Sequence, residues 1–186
     1  MKRVIRPFLV TICAVAVTAV AGIAATGSEA SAATIKVASA RAASIASASK
    51  TCANSEAEIR DVPHRLFAAW NSGNGAGIGA VFTTDGHFVT TAGKFLTSQN
   101  EISQYYTAAL AGPLNGIRVI GTPATIRCLG PTTVVVDGYG GLLLPGETYT
   151  DPAQVPLGRR FVVSWVGVQE NCVWYMKEYQ ATTIAA

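Results

Sequence analysis

Residues 65–93, RLFAAWNSGNGAGIGAVFTTDGHFVTTAG, decide how this chain is read. Ala68-Ala69-Trp70-Asn71-Ser72 closes an apolar helix, and Gly73 is its predicted stop, since glycine reaches the left-handed conformation that ends a helix. A glycine-punctuated turn and a short helix to Phe82 follow. Asp85-Gly86 then supplies a turn before a strand over His87–Thr91. Gly73-Asn74-Gly75-Ala76-Gly77-Ile78-Gly79 resembles a phosphate loop only in composition. It follows a helix rather than a strand and lacks the Lys-Ser/Thr that would hold a nucleotide.

Upstream, Ser55-Glu56-Ala57-Glu58 has capping-box spacing and predicts a helix from Ser55. Ile59, Val62, Leu66 and Trp70 recur at helical spacing and mark its buried stripe. Pro63 either kinks that helix or restarts it from Asp61. Downstream, Glu101–Ala111 is a third helix, capped by Ser98 or Asn100. After Gly112-Pro113 the pattern turns to strands: Gly116–Arg127, Thr132–Leu144, Arg159–Val168 and Val173–Thr183, with turns at Gly130-Pro131 and Glu170-Asn171. The polar stretch Pro145–Gly158 between two strands is long enough to be a lid or binding loop, or simply mobile. The fold expected is α+β: a curved antiparallel sheet of four long strands, with a short N-terminal strand or hairpin, wrapped around a long N-terminal helix with two further helices.

The ends of the chain have a different character. Lys2, Arg3 and Arg6, an apolar run over Phe8–Ala25 and the small-residue site Ala30-Ser31-Ala32 read as a signal peptide cleaved after Ala32. A membrane anchor is the competing reading of that run, so contact with a membrane is expected only through this segment. Residues 33–51 are rich in Ala and Ser and read as a flexible linker. Residues 52–186 form one domain of a size that can build a single core. The formal charge is +3, but without Lys2, Arg3, Arg6 and Glu29 the chain carries 11 basic against 10 acidic residues. No basic stripe remains, which argues against nucleic acid as a partner. Secretion is the expected location.

Cleavage leaves Cys52, Cys128 and Cys172, so one disulfide and one leftover thiol are expected in an oxidising compartment. In a meander, Cys128 and Cys172 fall at turns three strand spacings apart, roughly 14 Å. A disulfide requires Cα atoms within about 7 Å. Cys52 is thus the expected partner of Cys128 or Cys172, with Cys128 preferred. No C-x-x-C pair or nearby His completes a ligand set, and no metal is expected.

Several motifs together resemble the nuclear-transport-factor-2-like superfamily, a cone-shaped α+β fold, in its SnoaL-like branch. Ala69-Trp70-Asn71-x-Gly73 is similar to that branch's AWN-x-GD, with Asn74 in place of the usual Asp. Phe82-x-x-Asp85-Gly86-x-Phe88-Val89 with the later Gly93 resembles its aspartate-turn-strand signature. Arg127-x-Leu129-Gly130-Pro131 resembles its hairpin, and Trp174-x-Met176 its closing strand. The nearest group is the SgcJ/EcaC family, often labelled oxidoreductase. The sequence shows no cofactor motif, and no cofactor is expected. The resemblance implies a cone enclosing a pocket. It does not name a reaction, because the fold serves isomerases, hydrolases, cyclases and plain binders.

Candidate site residues follow from strand alternation and helix position. Trp174, Met176, Glu178 and Gln180 share one face of the last strand if it alternates regularly, which would point Glu178 inward. A carboxylate on an apolar wall has a raised pKa and can serve as general acid or base, whereas one at the cone's mouth is solvated or paired. Tyr106 stands where the resembling family often has His, and its phenol can donate to a ligand oxygen. Asp137 interrupts Val134-Val135-Val136, and its face depends on register. Glu178, Tyr106 and Asp137 are the expected catalytic groups. Trp70, His87, Tyr105 and Gln180 are the expected ligand contacts, with core packing for Trp70 and solvent exposure for His87 as the alternatives. The expected partner is a small, largely apolar molecule, with or without isomerase- or cyclase-like proton transfer. The alternative is an interaction module, a homodimer formed through an outer sheet face carrying Tyr175, Lys177, Tyr179 and either Phe161 and Trp165 or the opposite set.

Overall fold

Ile59, Val62, Leu66 and Trp70 are all buried on one side of helix α1 (Glu56–Asn71), which fulfils the expected stripe. The computed structural model describes residues 51–185; the expected signal segment and all of the linker before Thr51 lie outside the described residues. Pro63 sits inside α1 without interrupting it. The capping box at Ser55 does not form, because the Ser55 hydroxyl is buried and makes no cap bond. Gly73 closes the helix at φ +71°. Asn74 then caps the short helix α2 (Gly75–Gly79), its side chain accepting from the Gly77 N–H at 2.8 Å. A Cβ on Gly75 would lie 2.2 Å from the Thr107 backbone of helix α3 (Gln99–Ala111), so the glycine-rich segment serves close helix contact. Ser98 caps α3 by accepting from the Glu101 N–H.

Six strands form one curved, unclosed sheet: β1 (Phe82–Val89), β2 (Phe95–Leu96), β3 (Arg118–Gly130), β4 (Thr133–Leu143), β5 (Arg160–Glu170) and β6 (Val173–Thr183), in the order β2-β1-β6-β5-β4-β3. The long strands β3 to β6 make the expected antiparallel meander. β1 begins five residues before the expected strand and pairs with β6 in parallel. Asp85-Gly86 falls inside β1, where the register shifts between Phe82 and His87, rather than forming a turn ahead of it.

One irregularity in β6 decides which side chains face the helices. Gly167 pairs with Met176 and Val166 with Glu178, so Lys177 is an extra residue in the ladder. A bulge of this kind reverses the alternation beyond it. Trp174 and Met176 are buried before the bulge, and Tyr179 and Ala181 after it. Glu178 and Gln180 consequently lie on the opposite, outer face, and the expectation that Glu178 shares a wall with Trp174 and Met176 is corrected. The assignment of Tyr179 to the outer face is corrected for the same reason. In β5, Phe161, Val163 and Trp165 face the core, so the outer face carries the opposite set.

Both sheet edges are protected against pairing with another chain, as exposed edges require. β2 is only two residues long. On β3 the Asn71 side chain bonds both backbone groups of Val119, at 2.8 and 3.0 Å, and Pro123 interrupts the strand. At its far end Cys52 forms the expected disulfide with Cys128 (Cα–Cα 5.8 Å) and donates its N–H to Pro131. Cys172 carries no free thiol either.

The segment 144–158 is pinned down. The Glu147 carboxylate takes both Arg159 Nη groups, at 2.5 and 2.8 Å, and the Leu144 N–H at 2.8 Å. Val155 is fully buried, with a Cγ 2.7 Å from where a Gly141 Cβ would sit. The segment therefore packs against the outer face of the sheet and does not cover the helix-facing side.

Candidate functional site

Between the sheet and the helices lies a cavity of about 180 Å³. α1 contributes Leu66 and Trp70, β1 contributes Phe88, α3 contributes Tyr105 and Tyr106, and the long strands contribute Phe161, Tyr179 and Ala181. Thr90–Ala92 and Leu114 also line it. Every side chain on its wall is apolar, aromatic or hydroxylic; no Asp, Glu, His, Lys or Arg lines it.

The aromatic rings form one continuous set. Phe88 lies 4.5 Å from Tyr179 and 5.1 Å from Tyr106, and Tyr106 lies 5.1 Å from both Trp70 and Tyr105, all tilted or edge-on as ring quadrupoles prefer. Trp70 is fixed by its indole N–H, which donates to the Ile117 carbonyl at 2.9 Å. Lys94 sits over the outer side of the Tyr105 ring, 4.7 Å from its centroid. Among the described residues, neither the Tyr106 nor the Tyr179 hydroxyl has a hydrogen-bond partner. Burial, with Tyr179 and Tyr105 as lesser influences, pushes the Tyr106 phenol well above its usual range. Burial alone raises Tyr179. Both phenols are therefore neutral donors throughout the physiological range, and neither is a base.

Of the seven site residues expected from sequence, the structure brings Trp70, Tyr105 and Tyr106 to this cavity. The other four lie on the outer face. His87 Nδ1 is 2.7 Å from Glu178 Oε1, and its ring packs against Phe95 at 5.2 Å between centroids. Lys177, the bulge residue, pairs with Asp85 and holds that carboxyl below its usual range. Gln180 is exposed. Asp137 accepts from Ser164 at 2.5 Å and from Thr125 and Arg127, each at 3.1 Å. The Ser164 hydroxyl, with lesser help from Arg127 and Thr125, holds the Asp137 carboxyl below its usual range against the opposing effect of burial. The residues missed were Phe88, Phe161, Tyr179 and Ala181. For Tyr179 and Ala181 the signal was present in β6 as two apolar pairs, Trp174/Met176 and Tyr179/Ala181, offset from one another by one residue.

No family profile and no curated protein matches the chain. Solved structures do. The fold is nuclear-transport-factor-2-like. A cystatin-like-fold domain of unknown function from Nostoc punctiforme aligns over 70% of this chain and 78% of its own, at 24% identity and TM-score 0.62. A nuclear-transport-factor-2-like protein of unknown function from Shewanella oneidensis aligns over 67% and 96%, at 15% identity and TM-score 0.54. Aln2 from a Streptomyces species aligns over 68% and 89%, at 17% identity and TM-score 0.55. At these identities the likeness extends to the fold alone.

Proposed function

We propose that this chain is an exported member of the SnoaL-like branch that binds a small, largely apolar molecule in the cavity between sheet and helices. The carrying observation is the chemistry of that wall: a continuous aromatic lining around about 180 Å³, with two buried phenols that have no described protein partner. Pockets for small molecules are mostly apolar with a few placed polar groups. A cavity of roughly 150 Å³ suffices for benzene, so a single substituted ring fits here. The disulfide is consistent with an extracellular protein.

Binding without proton transfer is the reading the wall supports. Glu178 and Asp137, two of the three expected catalytic groups, are engaged on the outer face, which leaves Tyr106 as a hydrogen-bond donor to a ligand oxygen. Titration of the full chain with acetophenone, a ring bearing one acceptor, tests this by calorimetry. Saturable binding is expected. Ala181→Phe, which fills the cavity, should abolish it; Tyr106→Phe should weaken it about fivefold, the worth of one neutral hydrogen bond; Glu178→Gln should leave it unchanged. No saturable binding, or equal loss in Glu178→Gln, would sink the proposal. The homodimer reading draws on the exposed neighbours Tyr139 and Val162. The ionic and hydroxyl network of Asp85, His87, Asp137, Ser164, Lys177 and Glu178 on the same face argues for a solvated surface. A dimer in sedimentation at high concentration would favour it.

A further inference from the structure

A second cavity, of about 220 Å³, lies on the opposite side of the sheet, between its outer face and the pinned segment 144–158. Arg160 lines it, flanked by the Tyr139 ring and by Pro152, Ala153, Phe161 and Ile184. The other arginines of the described domain all have partners: Arg60 with Glu56, Arg65 with the Trp174 carbonyl, Arg118 and Arg159 with Glu147, and Arg127 with Asp137. Arg160 has none among the described residues, and its Nε is buried without an acceptor. A guanidinium without a protein partner, lining an apolar cavity, is a group with which an anionic ligand can pair.

We propose that this cavity binds a small organic monocarboxylate with a ring or short aliphatic body. The planar guanidinium fork matches a carboxylate, and the walls supply the apolar complement for the rest of the ligand. The volume of about 220 Å³ exceeds the roughly 150 Å³ that holds a benzene ring, which leaves room for a carboxylate beside it. Asp151 stands at the rim with its carboxylate accepting the Ala153 N–H at 2.8 Å, and its charge discriminates against dianions such as phosphate. The site is preformed, because Glu147 and the buried Val155 fix the segment that makes its outer wall.

Benzoate is the probe, titrated into the full chain by calorimetry. Saturable binding at millimolar concentration or tighter is expected, with benzyl alcohol and inorganic phosphate each at least about tenfold weaker. Arg160→Gln, shown by its melting curve to be folded, should weaken benzoate by about tenfold or more. Ala153→Trp, which fills the cavity from the exposed segment, should do the same without touching the guanidinium. Ala181→Phe blocks only the helix-side cavity and should leave benzoate binding intact, which separates this site from the acetophenone site. The proposal is overturned by no saturable benzoate binding, by binding that survives both Arg160→Gln and Ala153→Trp, or by binding lost in Ala181→Phe.

Discussion

Replacing Cys52 and Cys128 together by alanine removes the bond that ties the start of the domain to the β3 edge. The bridge joins residues 76 apart in sequence. The loop entropy that such a closure removes from the unfolded chain amounts to about 4.5 kcal/mol at 25 °C, against a typical range of about 2–4 for measured disulfides. A loss of roughly 3–4.5 kcal/mol is expected. For a domain of this size each kcal/mol lowers the midpoint by about 3–5 °C, so the melting temperature should fall by roughly 10–20 °C. Urea unfolding followed by circular dichroism measures the free energy directly. It should also show a steeper denaturant dependence in the variant, since the freed chain exposes more surface when unfolded. Cys172 is left untouched, so its state is common to both proteins. A loss below about 1 kcal/mol with an unchanged slope would refute the reasoning, and would mean that the unfolded chain is already held compact near this point.

Two smaller perturbations read other parts of the structure. A Cβ on Gly140 would lie 2.1 Å from the Phe161 ring, so Gly140→Ala should cost about 1–3 kcal/mol by overpacking and disturb the cavity wall; an unchanged melting curve would show that the ring gives way freely. Glu147, held down to about 2 chiefly by Arg159, has a folded pKa below its unfolded value of about 4.5. Its contribution is present above pH 4.5 and lost as pH falls toward 2, so the protection factors of amides in 144–158, taken against the intrinsic exchange rate at each pH, should fall over that window and stay level from pH 5 to 7. Loosening that begins near neutral pH would contradict the assigned anchor.

Much of the architecture was legible because local signals agreed with the final packing. The stripe Ile59–Val62–Leu66–Trp70, the Ser98 cap and the four long strands all follow from spacing that tertiary contacts did not override. The ends of these four strands differ by three residues at most, and β6 matches throughout. The cavity was harder to read, because its composition depends on one inserted residue. A strand that alternates regularly from Trp174 puts Glu178 inside; the bulge at Lys177 puts Tyr179 there. No residue type at position 177 announces a bulge, and only the second apolar pair, Tyr179 and Ala181, carries the information. The parallel pairing of β1 with β6 was likewise invisible, since both strands read alike whether their neighbours run parallel or antiparallel. Asn74 shows the reverse case. A departure from the resembling family's aspartate proved to be a helix cap that either residue can supply.

Intermolecular nuclear Overhauser effects between acetophenone and the full chain test most directly whether the aromatic cavity is a binding site. The prediction is cross-peaks from the ligand ring and methyl group to the Ala181 methyl and to the ring protons of Phe88, Tyr106 and Tyr179. Ligand contacts confined to the outer face, at His87, Asp137 or Tyr139, with the Ala181 methyl unperturbed at saturation, would contradict it.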